Sequence, residues 1–153
     1  MKIYRLHKKQ NLPITANQAW NFLSDPKNLK TITPDHMGFN IVSGADRDMY
    51  SGQIIQYIVT PILGIKTKWV TEITHCIEHK YFVDEQRFGP YSLWHHKHFI
   101  KKIDGGVEME DIIDYKLPFG WIGQLMHPIL VKPKLEEIFR YRTQKLEGLF
   151  GTY

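Results

Sequence analysis

The chain has 153 residues, of which 42% are hydrophobic and 13% aromatic, so it is predicted to bury a core and to form one domain over residues 1–153. Its net charge of +4 comes from basic residues scattered along the chain, which favours a solvated surface and argues against a nucleic-acid site. The N-terminus lacks the apolar run of a signal peptide, no segment is apolar enough for a membrane helix, and Cys76 has no second cysteine for a disulfide. We therefore expect a cytoplasmic protein with no stable membrane insertion.

The first part of the chain predicts one strand followed by two short helices. Alternating residues over 2–12 indicate the strand, and Thr15 is typical of the N-cap of a helix that places Trp20 on its inner side. The second short helix is predicted around 27–29, because proline-containing breaks flank that segment on both sides.

The middle of the chain predicts six strands separated by turn signals. These strands are expected over 39–43, 52–60, 65–76, 81–88, 91–103 and 107–117. Glycine, proline and aspartate mark the turns between them, including the segments 61–64 and Asp104-Gly105.

The last part of the chain predicts a long helix. An apolar connector over 118–133 is expected to be partly helical and to pack under the helix that runs from Pro133 to about Phe150. The alternative is that Trp121, Met126 and their apolar neighbours form a lid over the pocket mouth or a patch that touches a membrane. The helix carries one stripe at 3- and 4-residue spacing, formed by Leu135, Ile138, Phe139, Arg142, Leu146 and Leu149. The order of elements predicts an α+β fold, in which a curved antiparallel sheet of about six to seven strands wraps around the C-terminal helix and leaves a cavity.

Polar residues fall on strand faces that should be buried. Asp111 alternates with apolar residues in the last strand, and the face that carries Trp94 in the preceding strand also carries His96 and His98. A buried carboxylate or imidazole without a partner costs on the order of several kcal/mol. We therefore expect these three polar side chains to mark the functional site.

The turn between the last two strands sets how these residues pair. If Asp104 and Gly105 form a two-residue turn, the inward residues pair as His98 with Asp111, His96 with Ile113, and Trp94 with Tyr115. A turn formed by Gly105 and Gly106 would instead place Asp111 opposite Ile100. We favour the first pairing, because Asp-Gly is the stronger turn signal and because it gives the buried carboxylate a partner.

The predicted pair of His98 and Asp111 allows three interpretations. The carboxylate can fix the tautomer of the imidazole for general acid/base catalysis, the pair can orient a ligand, or it can be a buried hydrogen bond that holds the sheet together. His96 and His98 can also chelate a metal, with Asp84 or Asp111 as a third ligand. The spacing alone is weak support for a metal, so we assign no metal and no cofactor.

Other inward-facing residues are predicted to shape the cavity. Large aromatic side chains can stack on a flat ligand, Asp84 and Gln86 share one strand face, and Arg142 can reach an acidic group in the cavity. The predicted ligand-binding residues are Trp69, Asp84, Gln86, Trp94, His96, Tyr115 and Arg142, and the catalytic candidates are His98 and Asp111.

Taken in order, these motifs resemble the START-like, polyketide-cyclase-like superfamily, often called SRPBCC. The resemblance covers nearly the whole chain and rests on Trp20 with Asp25-Pro26, Trp69, Phe82-x-Asp84-x-Gln86, Trp94-x-His96-x-His98, Asp111-x-x-x-Tyr115 and Ile138-Phe139-x-Tyr141-Arg142. It is most similar to a bacterial branch described as ligand-binding or cyclase-like. The resemblance implies a helix-grip fold with a deep pocket for a hydrophobic small molecule, but it does not imply one reaction.

Three functions stay open from the sequence. The first is the binding or carriage of a hydrophobic or aromatic small molecule. The second is a cofactor-free cyclase, dehydratase or isomerase that uses His98 and Asp111 as an acid/base pair. The third is a structural or partner-binding module whose pocket is filled by its own side chains. No nucleic-acid partner is expected, and the oligomeric state is not predicted.

Overall fold

The computed structural model describes residues 2–60 and 64–153, and the strands in these residues form one antiparallel sheet. The strands are β1 (Tyr4–Leu12), β2 (Asn40–Ser43), β3 (Gln53–Val59), β4 (Thr67–Ile77), β5 (Tyr81–Phe88), β6 (Leu93–Ile103) and β7 (Gly106–Lys116). They are ordered β1-β7-β6-β5-β4-β3-β2 across the sheet. The turn predicted over 61–64 lies largely outside the described residues.

The helices are short after β1 and long at the C-terminus. They are α1 (Ala16–Leu23), α2 (Pro26–Leu29), a 3-10 turn (Asp35–Met37), α3 (Gly120–Met126), a π-helical turn (His127–Val131) and α4 (Lys132–Phe150). Thr15 caps α1 as predicted, because its side chain accepts from the Gln18 backbone and the Gln18 side chain accepts from the Thr15 backbone. The predicted α+β helix-grip architecture is confirmed.

The β6–β7 hairpin has the predicted register. Gly105 adopts the left-handed conformation with a φ of 73°, and Ile103 pairs with Gly106. His98 therefore lies opposite Asp111. Side chains along β7 alternate between buried and half-buried positions, so its inward row is Val107, Met109, Asp111, Ile113 and Tyr115.

The concave face of the sheet packs against one face of α4. Leu135, Phe139, Arg142 and Leu146 are the buried residues of this helix, which matches most of the predicted stripe. Leu149 departs from the prediction, because it is 51% exposed. Phe150 takes the inward position instead and meets Phe22 of α1 edge to face, since a position four residues after Leu146 continues its face more closely than a position three residues after it.

The connector before α4 does not pack as predicted. Only Gly123, His127 and Val131 are buried among the described residues of α3 and the π-helical turn, and their four-residue spacing places them on one face. The large apolar side chains face outward, with Trp121 at 73% exposure and Phe119 at 80%. A side chain at Gly123 would lie 2.2 Å from the Pro118 carbonyl oxygen, so a glycine is what permits the tight turn from Pro118 into α3. No helix within the described residues is long and apolar enough to cross a membrane.

Candidate functional site

A cavity of about 200 Å³ lies between the sheet, the two short helices after β1, and α4. Most of its wall is aliphatic or aromatic, with contributions from Phe22, Ile32, Val59, Ile73, Leu135 and Phe139. Three predicted polar residues, Asp84, His96 and His98, and the predicted Arg142 also line it. The cavity therefore combines an apolar wall with one group of charged and polar side chains, the pattern of a small-molecule site.

The polar side chains form a contiguous buried cluster with Asp111. His96 Nε2 donates to Asp111 Oδ1 over 3.0 Å, and His98 Nε2 donates to Asp84 Oδ2 over 2.7 Å. Arg142 Nη1 approaches Asp111 Oδ1 from α4 at 3.4 Å. His96, His98, Asp111 and Arg142 are each at least nine-tenths buried, so the attraction between their charges is little screened by water.

Neighbouring strands bring the cluster together by their register. Asp84 of β5 lies opposite His96 of β6, and Asp111 of β7 lies opposite His98. The two imidazole rings stand side by side on the same face of β6, with centroids 3.7 Å apart, and Phe82 stacks on the outer face of His98 at 4.1 Å. Aromatic packing thus fixes the planes of the rings that the carboxylates bind.

The pKa values of the two histidines in this cluster are shifted in opposite directions. Burial and the nearby charge of His98 lower the pKa of His96 to about 4. Burial also acts to lower the pKa of His98, but its contacts with Asp111 and Asp84 outweigh this effect and raise it. The cluster therefore holds His96 neutral and favours a proton on His98.

The two carboxylates stay ionised because neighbouring positive charges and hydrogen bonds lower their pKa values. Burial alone would raise the pKa of Asp111, but the charge of Arg142 and the contacts with both histidines hold it well below its usual range. Burial would also raise the pKa of Asp84, but the hydrogen bond from His98 and the proximity of both imidazoles outweigh burial and lower it. Two negative charges therefore face two positive charges, on His98 and Arg142, so the site is balanced without a ligand.

Two N–H groups in the cluster lack a hydrogen-bond partner among the described residues. These are His98 Nδ1 and Arg142 Nε. His98 Nδ1 lies 2.9 Å from Asp111 Oδ1, but the oxygen is poorly aligned with the N–H direction, so the contact is electrostatic and is not a hydrogen bond. Buried donors without partners are rare in native proteins, and these two belong to residues that line the cavity.

The predicted aromatic residues have different positions. Trp69 and Trp94 line the cavity and meet edge to face with ring centroids 5.3 Å apart. Tyr115 is buried but is not among the described residues that line the cavity. Its hydroxyl lies 2.7 Å from His127 Nε2, so it joins β7 to the π-helical turn beside Tyr4, whose ring stacks on His127.

Gln86 bonds the backbone of Tyr91, a residue that lines the cavity. Its side chain donates to the Tyr91 carbonyl over 2.7 Å and accepts from the Tyr91 N–H over 3.1 Å, and it is not among the described cavity-lining residues. Tyr91 and Tyr57 do line the cavity, and neither was in the predicted set. The alternation of β3 carried a signal for Tyr57, because Gln53, Ile55 and Val59 share its face and are buried.

Solved structures share this fold at low sequence identity. A START superfamily protein from Mycobacterium smegmatis is 15% identical, with a TM-score of 0.69 over 95% of this chain and 96% of its own. A norcoclaurine synthase point mutant from Thalictrum flavum, in complex with a transition-state analogue, is 11% identical, with a TM-score of 0.66 over 97% of this chain and 96% of its own. A protein from Chromobacterium violaceum is 12% identical, with a TM-score of 0.73 and full coverage of both chains.

These similarities define the class of fold. The chain has the helix-grip fold of START-like proteins, as its motifs predicted. No family model and no curated protein matches the sequence. At these identities the similarity shows the fold alone, so any function has to be argued from the site.

Proposed function

We propose that this protein binds a small, largely apolar molecule in the cavity between the sheet and α4. The observation that carries the proposal is the cavity volume of about 200 Å³. An engineered apolar cavity of about 150 Å³ is enough to bind benzene. The volume therefore supports the binding hypothesis over the alternative of a pocket filled by the protein's own side chains.

The size and wall of the cavity limit the kind of molecule. A volume of this order suits a body of roughly one or two rings. Trp69 and Trp94 offer aromatic surfaces on one side, and Leu135 and Phe139 of α4 offer apolar surfaces on the other. A flat aromatic body fits this wall better than a long acyl chain, which would need a longer cavity.

The polar cluster selects the group that such a molecule presents. The charges of the cluster already balance, so the proposed molecule need not be charged. The unpartnered N–H of Arg142, a residue that lines the cavity, favours a hydrogen-bond acceptor at that end, such as a carbonyl, hydroxyl or phenolic oxygen. The proposed ligand class is an aromatic molecule with at least one acceptor oxygen.

The test is a calorimetric titration with 2-naphthol, which has a two-ring apolar body and one oxygen. Ile138→Trp adds volume to a cavity-lining position of α4 and is expected to weaken binding at least tenfold. Leu149→Trp is the matched control, because Leu149 lies on the same helix but is 51% exposed. Equal binding by the wild type and Ile138→Trp, with both proteins folded by circular dichroism, would contradict the proposal.

The catalytic hypothesis for His98 and Asp111 stays a prediction. Turnover of a bound aromatic molecule that is lost in His98→Gln, while binding persists, is the result expected of an enzyme.

A further inference from the structure

Three donor atoms of the cluster converge on one point of the cavity wall. Asp84, His96 and His98 each offer one ligand atom, and these atoms all lie within 4.8 Å of one another. Asp84 Oδ2 lies 2.7 Å from His98 Nε2 and 3.7 Å from His96 Nδ1. Donor atoms around a tetrahedral zinc ion lie about 3.3 Å apart, given bonds of about 2.0–2.2 Å, so small side-chain rotations suffice to place an ion between them.

The other nitrogen of each imidazole faces an outer carboxylate. His96 Nε2 donates to Asp111 Oδ1, and this bond leaves Nδ1 with a free lone pair on the side of Asp84. His98 Nδ1 lies 2.9 Å from the same oxygen and lacks an aligned hydrogen bond, while its Nε2 points to Asp84. A carboxylate behind a metal-binding histidine is the usual arrangement that orients the ring and raises its basicity.

Asp111 is itself held in place from the opposite side. Arg142 of α4 approaches the Asp111 oxygen that the histidines share, at 3.4 Å. The outer carboxylate is thus positioned by the long helix and the inner donors by the sheet. A pair of buried hydrogen bonds would use only one nitrogen of each ring. Here both nitrogens of both rings are directed at carboxylates.

We propose that Asp84 Oδ2, His96 Nδ1 and His98 Nε2 bind one divalent transition-metal ion of the zinc class at the polar end of the cavity. Two imidazoles with one carboxylate suit such an ion, whereas magnesium and calcium prefer oxygen donors throughout. On binding, the ion replaces the proton on His98 Nε2, and that proton passes to solvent. The sequence assigned no metal, because it showed the His-x-His spacing but not the convergence of Asp84.

The metal has a consequence for the molecule in the cavity, and this part rests on the proposed function. All three donors line the cavity, so the remaining coordination positions of the ion face that space. The ion, Arg142, Asp84 and Asp111 together carry one excess positive charge once His98 is neutral. An anionic oxygen, such as a phenolate, enolate or carboxylate, would complete the coordination and balance that charge.

The experiment is a titration of the purified, metal-free protein with Co²⁺, followed by its visible absorption, and with Zn²⁺ by equilibrium dialysis. The expected result is one ion per chain, with binding weakened at least tenfold in His96→Ala and in His98→Ala. His95→Ala is the matched control, because His95 directly precedes His96 in β6 but faces outward, where its Nδ1 bonds Glu85. Asp111→Asn is expected to keep one site and to weaken it about 10- to 100-fold, as loss of an outer partner does.

Absence of a stoichiometric ion in the wild type, or equal binding by His96→Ala, would overturn the proposal. If the alanine variants fold poorly, nitrogen-15 spectra of the wild type decide the question, since Zn²⁺ must shift His96 Nδ1 and His98 Nε2 and leave His95 unchanged. Titration of 2-naphthol into the metal-free protein separates the two proposals. If 2-naphthol binds and Co²⁺ does not, the metal proposal is wrong and the ligand proposal stands. If Co²⁺ binds and 2-naphthol does not, the ligand proposal is wrong and the metal proposal stands.

Discussion

His96 donates its Nε2 hydrogen to Asp111, although Asp111 lies opposite His98 in the sheet and not opposite His96. On the β5 side of the sheet, His98 in turn donates to Asp84, although Asp84 lies opposite His96. Each histidine therefore bonds the diagonal carboxylate. Diagonal neighbours are within reach of long side chains on a sheet face, and here they tie β5, β6 and β7 into one polar unit.

We expect Asp111→Asn to lower the free energy of unfolding by about 3 kcal/mol, because the buried charges on Arg142 and His98 lose the carboxylate that balances them. Urea unfolding of both proteins at neutral pH measures the difference. Asp114→Asn is the matched control on the outer face of the same strand, where Asp114 pairs with Arg5 and Lys97. That substitution should cost less than about 1 kcal/mol, and an equal loss in the two variants would contradict the assignment of Asp111 as the buried counter-ion.

Tryptophan fluorescence should report occupation of the cavity. Trp94 lines the cavity, whereas Trp121 is 73% exposed on α3. Trp94→Phe is expected to reduce the change in emission that 2-naphthol causes, because one of the two indoles that line the cavity is gone. Trp121→Phe should keep the full change. A response that depends on Trp121 and not on Trp94 would place the probe on the exposed apolar surface.

His127 is buried beside Tyr115, and we expect the free energy of unfolding to depend on its protonation. Burial and the charges of Lys2 and Lys132 lower the pKa of His127 below its ordinary value, so the unfolded chain takes up the proton more readily than the folded chain does. Its contribution to stability is therefore present above the ordinary histidine pKa, near 6.5, and is lost as the pH falls through its folded pKa. Thermal unfolding at pH 7.5 and pH 5.5 measures this loss.

His127→Phe is the comparison for that measurement, since phenylalanine keeps a ring beside Tyr4 but cannot bind a proton. Its melting temperature should fall less between pH 7.5 and pH 5.5 than that of the wild type. Other titrating groups, His96 included, are common to both proteins and cancel in the difference. Identical falls in the two proteins would show that His127 does not titrate with folding.

The capping box at the start of α1 should contribute to the stability of the cavity wall. Thr15→Ala removes the side chain that accepts from the Gln18 N–H, and we expect a loss of about 1 kcal/mol in urea unfolding. Thr15→Ser keeps the hydroxyl and should restore most of this loss. A loss of the same size in both variants would point to the methyl group of Thr15 and not to the cap.

Much of the fold could be predicted because local signals agreed with the tertiary arrangement. The alternation in 107–117 placed Asp111 inward, and the Asp104-Gly105 turn fixed the register, since a shift of one residue would have turned the whole apolar row outward. The outward face of the connector was not predictable in the same way. Its apolar residues are consistent with either orientation, and the structure buries Gly123, His127 and Val131 while the large apolar side chains face outward.

The sequence by itself determined which residues of β6 and β7 share the inner face and which of them lie opposite one another, because the two-residue period of a strand and one tight turn leave little freedom. Only the tertiary structure decided the partners within the cluster. The diagonal bonds, the entry of Asp84 from β5 and the approach of Arg142 from α4 depend on side-chain rotamers and on how the helix lies across the sheet. Packing among residues that are distant in sequence sets these rotamers and the position of the helix, so no local sequence pattern predicts them.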